Sequence, residues 1–259
     1  MKLCKILAVL FIFSCAAFGK SGLELGIFVP LGFNIGIHYY DKKPSNLNNN
    51  QSAQYNEYVT NNTRTSHIGF EAGALFQAGY RLELNKEISF SFMGELGYSR
   101  DTFNYRLKDS NIDSQALKLQ NYRYYSFDSI VIGVLPKINY KRFSFGIGAG
   151  MKIFLSGTIN DSHYNQTLGY TTESIKMIDT KNYKDYFSSN IIPYLKLTLD
   201  YSIYTSNKFD IVLSAYFDYD FALKYKIKGE KYKNIDTPIE NISSVDLGIQ
   251  IGAKIRPMN

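Results

Sequence analysis

The three histidines of this sequence, His38, His67 and His163, are the residues best suited to acid–base chemistry. Histidine titrates near neutral pH, so it can act as a general base or as a metal ligand. An enzyme acting on lipid acyl groups would also need a nucleophile within hydrogen-bond reach of such a base, and no motif in the sequence provides that pair. We therefore expect the histidines to be incidental, and we predict no catalytic, cofactor-binding or metal site.

Charged residues of both signs recur at alternate positions of segments that are otherwise apolar or rich in glycine. If these side chains point into a protein interior they must pair, because an unpaired buried charge is costly. We predict an interior salt-bridge network, and a path for ions is the alternative. The residues on this polar face are Glu71, Glu83, Glu95, Asp200, Asp210, Asp218 and Asp220 with Arg81, Lys137, Lys152, Lys196, Lys254 and Arg256.

A second group of charges is a run of lysines near residue 230 that alternates with two tyrosines, Tyr225 and Tyr232. Such a run can contact phosphate groups of lipid A or another anionic surface, and the alternative is a solvated hairpin. We treat it as a candidate surface-binding loop. Its lysines are Lys224, Lys226, Lys228, Lys231 and Lys233.

The elements that position these residues are strands with a strict period of two. In the segment 23–39 every odd position is apolar, which is typical of a strand with one apolar face. Seven further segments repeat the pattern, so we predict eight strands. The predicted segments are 23–39, 68–84, 88–98, 130–140, 143–155, 191–203, 209–221 and 245–255.

The connections between the predicted strands alternate in length. The segments 41–66, 101–124, 156–188 and 222–241 are long and polar, whereas 85–87, 141–142 and 205–208 leave room only for tight turns. The segment 41–66 has a low-complexity, asparagine-rich composition that cannot build a core, so we expect a loop there. The prolines at positions 30, 136 and 193 lack a ladder donor, and we expect β-bulges at these three positions.

The apolar face of the strands carries no charge in any predicted segment, whereas the polar face is dotted with glycine. A basic side chain facing the middle of a bilayer would cost about 2–4 kcal/mol, so this pattern indicates an apolar face in contact with lipid. Small residues also suit the narrow interior of an eight-stranded barrel. A soluble, lipocalin-like barrel with the two faces reversed is the alternative.

The N-terminal segment 1–19 is typical of a secretory signal peptide, because two lysines precede an apolar core and small residues follow it. It holds both cysteines, Cys4 and Cys15. Cleavage near Gly19 would leave residues 20–259 without thiols, which excludes disulfides and cysteine chemistry there. In the alternative, Cys15 is the lipidated residue of the exported protein.

In strand number, in loop alternation and in its girdle of tyrosines, the chain resembles the small eight-stranded outer-membrane barrels of the OmpA and OmpX type over residues 23–257. The sequence departs from that class at its end, 256–259, which lacks the usual terminal aromatic residue. The resemblance implies an all-β, eight-stranded antiparallel up-and-down transmembrane β-barrel over 20–259, exported to the bacterial outer membrane. The girdle tyrosines are Tyr39, Tyr80, Tyr98, Tyr140, Tyr201 and Tyr219.

The resemblance favours a non-enzymatic surface protein with long extracellular loops, acting as an adhesin, an antigen or a structural envelope protein. A narrow porin-like channel and a lipid-A-modifying enzyme are the alternatives. We expect contact with outer-membrane lipid and, through the loops, with lipopolysaccharide or a host surface ligand. The net charge of +6 is too small to indicate nucleic acid, and we expect a monomer without a cofactor.

Overall fold

The computed structural model describes residues 21–107, 122–165, 170–206, 208–226 and 229–255. The predicted signal peptide lies outside these ranges. The strands are β1 (Gly22–Tyr40), β2 (Arg64–Glu83), β3 (Ile88–Leu107), β4 (Tyr122–Tyr140), β5 (Phe143–Asn165), β6 (Tyr170–Asp179), β7 (Ile191–Thr205), β8 (Phe209–Tyr225), β9 (Lys231–Tyr232), β10 (Ile235–Asp236) and β11 (Glu240–Ile255). One helix, α1 (Asn49–Asn62), and a 3₁₀ turn (Tyr183–Asp185) accompany them.

Eight of these strands form a closed antiparallel ring. Strands β1 to β5 pair in chain order, β7, β8 and β11 continue the ring, and β11 closes it by pairing with β1. Among the described residues, strand β6 pairs only with the 156–165 part of β5, and β9 and β10 form a separate hairpin. We call the end of the barrel with the short connections the turn end, and the opposite end the loop end.

An apolar belt surrounds the outside of the barrel. It consists of the outward-facing side chains of segments that are each eleven residues long, with matching segments on the other strands. These segments are 88–98 on β3, 130–140 on β4, 143–153 on β5 and 245–255 on β11. A tilted strand crosses the apolar part of a membrane in about 9–11 residues, so the belt has the height of a membrane.

The exterior becomes polar where the apolar belt ends. Towards the loop end, Arg100 on β3 and Asp128 on β4 form an exterior ion pair at 3.7 Å, and Ser156 on β5 donates a hydrogen bond to Asp128 at 3.3 Å. The strands continue beyond this level as a polar extension of the barrel. The predicted fold class, an eight-stranded up-and-down transmembrane β-barrel, is thus confirmed, and the alternative with the faces reversed is wrong.

The turn end is built from short connections, as predicted. Asn85 organises the turn after β2, because its Oδ1 accepts hydrogen bonds from the backbone N–H groups of Glu87 and Ile88 at 2.9 and 2.8 Å. Lys141 has a φ of 54°, which lets the chain reverse within two residues between β4 and β5. Tight turns of this kind fix the register of the hairpins they close.

The long connections contain more structure than the sequence led us to expect. The predicted loop 41–66 holds α1, whose first turn is closed by a capping box between Asn48 and Gln51, at 2.9 and 3.2 Å. The expectation of an unstructured loop is therefore wrong, because polar residues also form a helix when a cap and tertiary contacts support it. In the segment 156–188, β5 continues to Asn165 and pairs with β6.

The expectation of bulges at the three mid-strand prolines is also wrong. The register of β1 with β2 is unchanged across Pro30, and the register of β4 with β5 is unchanged across Pro136. The ladder on both sides holds the register, and a single lost hydrogen bond costs only about 1 kcal/mol. Register shifts occur instead at 67–71, 128–129, 202–204 and 242–244, near the ends of the apolar belt.

Within the described ranges, no helix is both long enough and apolar enough to span a membrane.

Candidate functional site

The interior of the barrel near the turn end is filled by a charge cluster around Asp200. Lys137 and Lys254 each donate a hydrogen bond to Asp200 Oδ2 at 2.8 Å, and Lys137 also bonds Gln77 at 3.2 Å. The ring of Phe28 lies below both ammonium groups, at 5.3 and 5.8 Å. Every one of these side chains comes from the polar face of a strand, so the strand period points all of them into the interior.

A second cluster surrounds Lys152 nearer to the loop end. The Lys152 ammonium lies 2.8 Å from Asp220, 3.3 Å from Asp101, 3.6 Å from Asp246 and 3.7 Å from Glu71. Four carboxylates from four different strands thus surround one buried ammonium. Because Lys152 is the common partner, it holds together the strands that carry these acids.

The remaining predicted network residues lie in several environments. Lys196 approaches Asp218 at 3.7 Å, and Glu95 accepts a hydrogen bond from Gln77 at 2.8 Å. Arg81 and Glu83 lie half-buried near the turn end, and neither forms an ion pair within the described part of the chain. Arg256 lies outside the described residues.

Glycines on the polar face make room for interior tyrosines. The Tyr216 hydroxyl donates a hydrogen bond to Glu71 at 2.8 Å, and its ring lies directly over Gly32 and Gly248. A side chain at either glycine would collide with that ring. Tyr194 covers Gly150 in the same manner. The small residues of the sequence therefore serve interior packing, as expected for a narrow barrel.

An aromatic layer closes the barrel above the Lys152 cluster. Its rings pack at centroid distances of 5.5 to 6.2 Å, mostly in tilted or edge-to-face arrangements. Ile159, Ile178, Ile192, Leu223 and Ile242 fill the space around the rings. The aromatic members are Phe103, Tyr105, Tyr125, Phe127, Phe154, Phe187 and Tyr225.

A polar site lies above the aromatic layer, in the part of the barrel beyond the apolar belt. We call it the mouth cluster. Arg123 contacts Glu240 at 2.9 Å and also pairs with Asp161, and His38 contacts Glu240 at 3.2 Å. Burial alone would raise the pKa of Glu240, but Arg123, His38 and Arg64 outweigh it and lower that pKa to about 2. Glu240 is therefore ionised at neutral pH.

A cavity of about 190 Å³ opens above the mouth cluster, and the ion pairs of Arg123 with Glu240 and Asp161 line it. Its other lining residues are Tyr58, Lys176, Tyr225, Lys226, Glu230, Thr237 and Pro238. A neighbouring cavity of about 450 Å³ lies between the segment before α1 and the hairpin β9–β10. The two cavities share the lining residues Lys226, Thr237 and Pro238 and are therefore adjacent, and we refer to them together as the groove.

Helix α1 and the hairpin β9–β10 cover the side of this groove. Glu57 on α1 contacts Lys233 at 2.6 Å and accepts a hydrogen bond from Tyr232 at 3.0 Å, and the Tyr58 and Tyr232 rings pack at 5.1 Å. Asp41 joins the start of the long connection to the barrel by accepting a hydrogen bond from Asn241 at 2.8 Å.

The lysines of the candidate surface-binding loop do not form one basic patch. Lys224 pairs with Asp41 at 3.1 Å, Lys226 with Asp236 at 3.5 Å, and Lys233 with Glu57. Lys231 is exposed in β9, and Lys228 lies outside the described residues. Of the four described lysines, Lys226 alone lines the groove.

The histidines are placed apart from one another. His38 points into the barrel and contacts Glu240 and the rings of Tyr40 and Tyr105. His67 lies on the exterior, because a register shift between 67 and 71 precedes the apolar belt on β2. His163 lies in β5, which corrects its assignment to a loop.

Several residues of the site were not predicted. Arg123 and Asp161 fall in segments predicted as loops. Arg123 continues the strand alternation of β4, whereas a register shift opposite 128–129 adds one residue to β5 and turns Asp161 to the interior. Asp246 occupies a polar-face position of β11 and was not included in the network. Extending the period of two past the apolar belt would have brought Arg123 and Asp246 into the candidate site, but not Asp161, because the register shift in β5 inverts the alternation before it.

The fold and the site together define a class of protein: a closed eight-stranded transmembrane β-barrel with a charged, filled interior. No family model matches the sequence, and no curated protein matches it. The chain is similar in fold to the outer membrane protease OmpT from Escherichia coli, with 9% identity, 93% of this chain and 98% of that chain covered, and a TM-score of 0.42.

Two further solved structures are similar to a lower degree. Neisserial surface protein A is 11% identical over 89% of this chain and 96% of its own, with a TM-score of 0.36. Ail of Yersinia pestis, solved with the heparin analogue sucrose octasulfate, is 12% identical over 89% of this chain and 99% of its own, with a TM-score of 0.32. Outer-membrane proteins are thus among the structures that this chain resembles, and the likeness concerns the fold alone.

Proposed function

We propose that this protein is a non-enzymatic surface protein of the bacterial outer membrane, whose barrel is closed and whose loop end binds a ligand outside the cell. The observation that carries the proposal is the aromatic layer, which packs across the barrel beneath the polar groove at the loop end. A role as an adhesin, an antigen or a structural envelope protein fits this arrangement.

The filled interior favours a closed barrel over a porin-like channel. The side chains of Lys137 and Lys152 are 0% and 2% exposed, and both are held by carboxylates. A permeating ion would have to pass these two clusters and the aromatic layer, which consist of packed, buried side chains. An eight-stranded barrel has an interior just wide enough for its own side chains.

The surroundings of His38 favour a binding role over catalysis. Its Nε2 faces the Glu240 carboxylate, and its Nδ1 has no hydrogen-bond partner within the described residues. A nucleophilic mechanism would require a hydroxyl or thiol within hydrogen-bond reach of the imidazole. The rings of Tyr40 and Tyr105 pack on His38 instead.

The partners follow from the two surfaces of the barrel. The apolar belt would contact the acyl chains of outer-membrane lipid, and the groove at the loop end would meet lipopolysaccharide or a host surface ligand. A monomer is consistent with a ring whose eight strands are each paired on both sides within one chain.

Planar-bilayer recording tests the closed barrel. The refolded protein is inserted into a lipid bilayer between two salt solutions, and a protein-free bilayer serves as control. We expect no current steps above the leak of the control bilayer. Regular steps of constant size would contradict the proposal and favour the channel.

A further inference from the structure

The Lys152 cluster holds more acidic than basic groups. One ammonium group faces four buried carboxylates, so three negative charges are left over when all four are ionised. The next ammonium group, that of Lys196, faces Asp218 instead. A buried excess of charge is costly, so further positive charge is needed here. The four carboxylates are those of Glu71, Asp101, Asp220 and Asp246.

Lys152 uses only one oxygen of each aspartate in the cluster. The Oδ2 atoms of Asp101, Asp220 and Asp246 face the ammonium group, whereas their Oδ1 atoms are buried without a hydrogen-bond partner within the described residues. Buried carboxylate oxygens are normally paired with a donor or a cation. A second cation therefore finds oxygen ligands here without displacing Lys152.

Asn34 on β1 adds an unpaired amide that is independent of the carboxylates. It is 0% exposed, and neither its Oδ1 nor its Nδ2 has a hydrogen-bond partner in the described part of the chain. It lies opposite Asp246 in the register of β1 with β11. Its Oδ1 reaches towards β2, because a side chain at Gly69 would collide with it, and Gly69 is two residues from Glu71 on the same face. Asn34 thus directs an unused carbonyl oxygen to the acidic cluster.

Four neighbouring strands contribute one of these residues each. Glu71 of β2 and Asp101 of β3 lie directly opposite one another. One carboxylate oxygen each of Glu71, Asp101 and Asp246 lie within 4.8 Å of one another. Oxygens that bind the same Ca²⁺ at about 2.3–2.6 Å are at most about 5 Å apart, so the three carboxylates can share one ion. In ring order the residues are Asp246, Asn34, Glu71 and Asp101.

The packing around these atoms selects a bare cation. The unpaired oxygens have almost no surface that a water molecule could reach, so a hydrated ion does not fit, whereas direct metal–oxygen bonds are shorter than contacts with water. Mg²⁺ usually keeps several waters. Ca²⁺ accepts carboxylates that bind through one or two oxygens together with amide oxygens, in a flexible geometry. The ligand set therefore favours Ca²⁺.

We propose that Asn34, Glu71, Asp101 and Asp246 bind one calcium ion beside Lys152. The ion supplies positive charge that Lys152 alone does not provide, and it ties β11, β1, β2 and β3 together on the inside of the barrel. The site lies between the aromatic layer and the charge cluster around Asp200. The ion therefore enters while the strands assemble and is retained by the folded barrel.

Refolding with and without calcium tests the site. The full chain is unfolded in urea with EGTA and refolded into phosphatidylcholine vesicles in EGTA, in CaCl₂ or in MgCl₂. Bound metal is measured by mass spectrometry after removal of free ions, and stability is measured as the urea midpoint. We expect one calcium ion per chain and a higher midpoint after refolding in CaCl₂. EGTA added after folding should leave the calcium bound.

Two alanine variants separate binding from packing. Asn34→Ala leaves every contact of Lys152 in place and removes no hydrogen bond among the described residues, yet it should lower the calcium affinity at least roughly tenfold. The matched control is Asn139→Ala, which removes hydrogen bonds to Ser89 and Ser91 near the turn end. It should lower the urea midpoint and keep the calcium. Asp101→Asn removes a ligand charge and should lose the calcium.

Four results would overturn the assignment: no calcium in the refolded protein, the same urea midpoint in CaCl₂ and in EGTA, equal binding of magnesium, or an Asn34→Ala variant that keeps the wild-type calcium affinity. An unchanged midpoint would mean that protons neutralise the carboxylates. Folding of each variant is checked by the mobility shift on heating. A folded, non-conducting barrel without calcium refutes this inference alone, whereas current steps in a bilayer refute the proposed function.

Discussion

Replacing Glu240 by glutamine is predicted to destabilise the mouth cluster strongly. The Glu240 side chain is 5% exposed and contacts Arg123 at 2.9 Å and His38 at 3.2 Å. Glutamine keeps the shape but removes the charge, so the buried guanidinium of Arg123 keeps Asp161 as its only ion partner among the described residues. Breaking a buried ion pair on one side leaves an uncompensated charge.

The magnitude follows from the pKa of Glu240. Its pKa falls from the ordinary value of 4.5 to about 2, and each pH unit of that difference is worth about 1.4 kcal/mol, so the ionised form contributes about 3 kcal/mol at pH 7. One-sided loss of buried pairs costs about 3–5 kcal/mol, in agreement with this figure. We therefore expect Glu240→Gln to lower the free energy of unfolding by about 3 kcal/mol at pH 7.

The pH dependence has a defined sign. Because the folded-state pKa of Glu240 is depressed, its contribution is fully present above the unfolded-state pKa near 4.5 and is lost as pH falls towards 2. At pH 3 about 1 kcal/mol of the contribution remains. The difference in the free energy of unfolding between the wild-type protein and Glu240→Gln should therefore be smaller at pH 3 than at pH 7.

The assay is equilibrium urea unfolding of the protein in lipid vesicles, followed by circular dichroism at pH 7 and pH 3. Glu87→Gln, on the turn between β2 and β3, removes an exposed carboxylate and is the control, with a negligible effect expected. A loss below about 1 kcal/mol for Glu240→Gln, or a loss that does not shrink at pH 3, would refute the reasoning.

Three further predictions concern the barrel and its cover. Lys152→Met leaves four buried carboxylates without their common cation, and we expect a loss of at least about 3 kcal/mol in the same urea assay, or failure to refold. Gly32→Ala places a methyl group against the ring of Tyr216 and should lower the free energy of unfolding by about 1–3 kcal/mol. Gly94→Ala is the control, because the nearest atom to its methyl group would lie at 3.5 Å, and the mobility shift on heating should show no change for this variant. Glu57→Gln should leave the global unfolding midpoint unchanged, because the Glu57 pair with Lys233 is exposed, but should speed amide hydrogen exchange in α1.

The strand period predicted the barrel well because a half-buried strand imposes the same alternation over its whole length. Segments such as 88–98 and 245–255 carry that signal without interruption, and they coincide with the apolar belt. The inward charges Lys137, Lys152 and Asp200 could be identified for the same reason. Their partners across the barrel could not, because pairing depends on the register and tilt of strands that are distant in the sequence.

The mouth cluster was harder to predict because the signal changes beyond the apolar belt. There the exterior is as polar as the interior, so Arg123 and Asp161 appeared in segments with no clear alternation. The helix α1 was missed for a different reason: most of its residues are polar, and it depends on the cap at Asn48 and on contacts with the hairpin β9–β10.

Surface labelling of single cysteines tests the central claim most directly. Residues 21–259 contain no cysteine, so Lys233→Cys in the loop-end hairpin and Arg142→Cys in a turn each provide one unique thiol. Intact cells are treated with a membrane-impermeant maleimide. The account predicts labelling of Lys233→Cys on intact cells, and of Arg142→Cys only after the outer membrane is permeabilised. Labelling of Arg142→Cys on intact cells, or of neither variant before permeabilisation, would contradict a barrel that spans the outer membrane with its loop end outside.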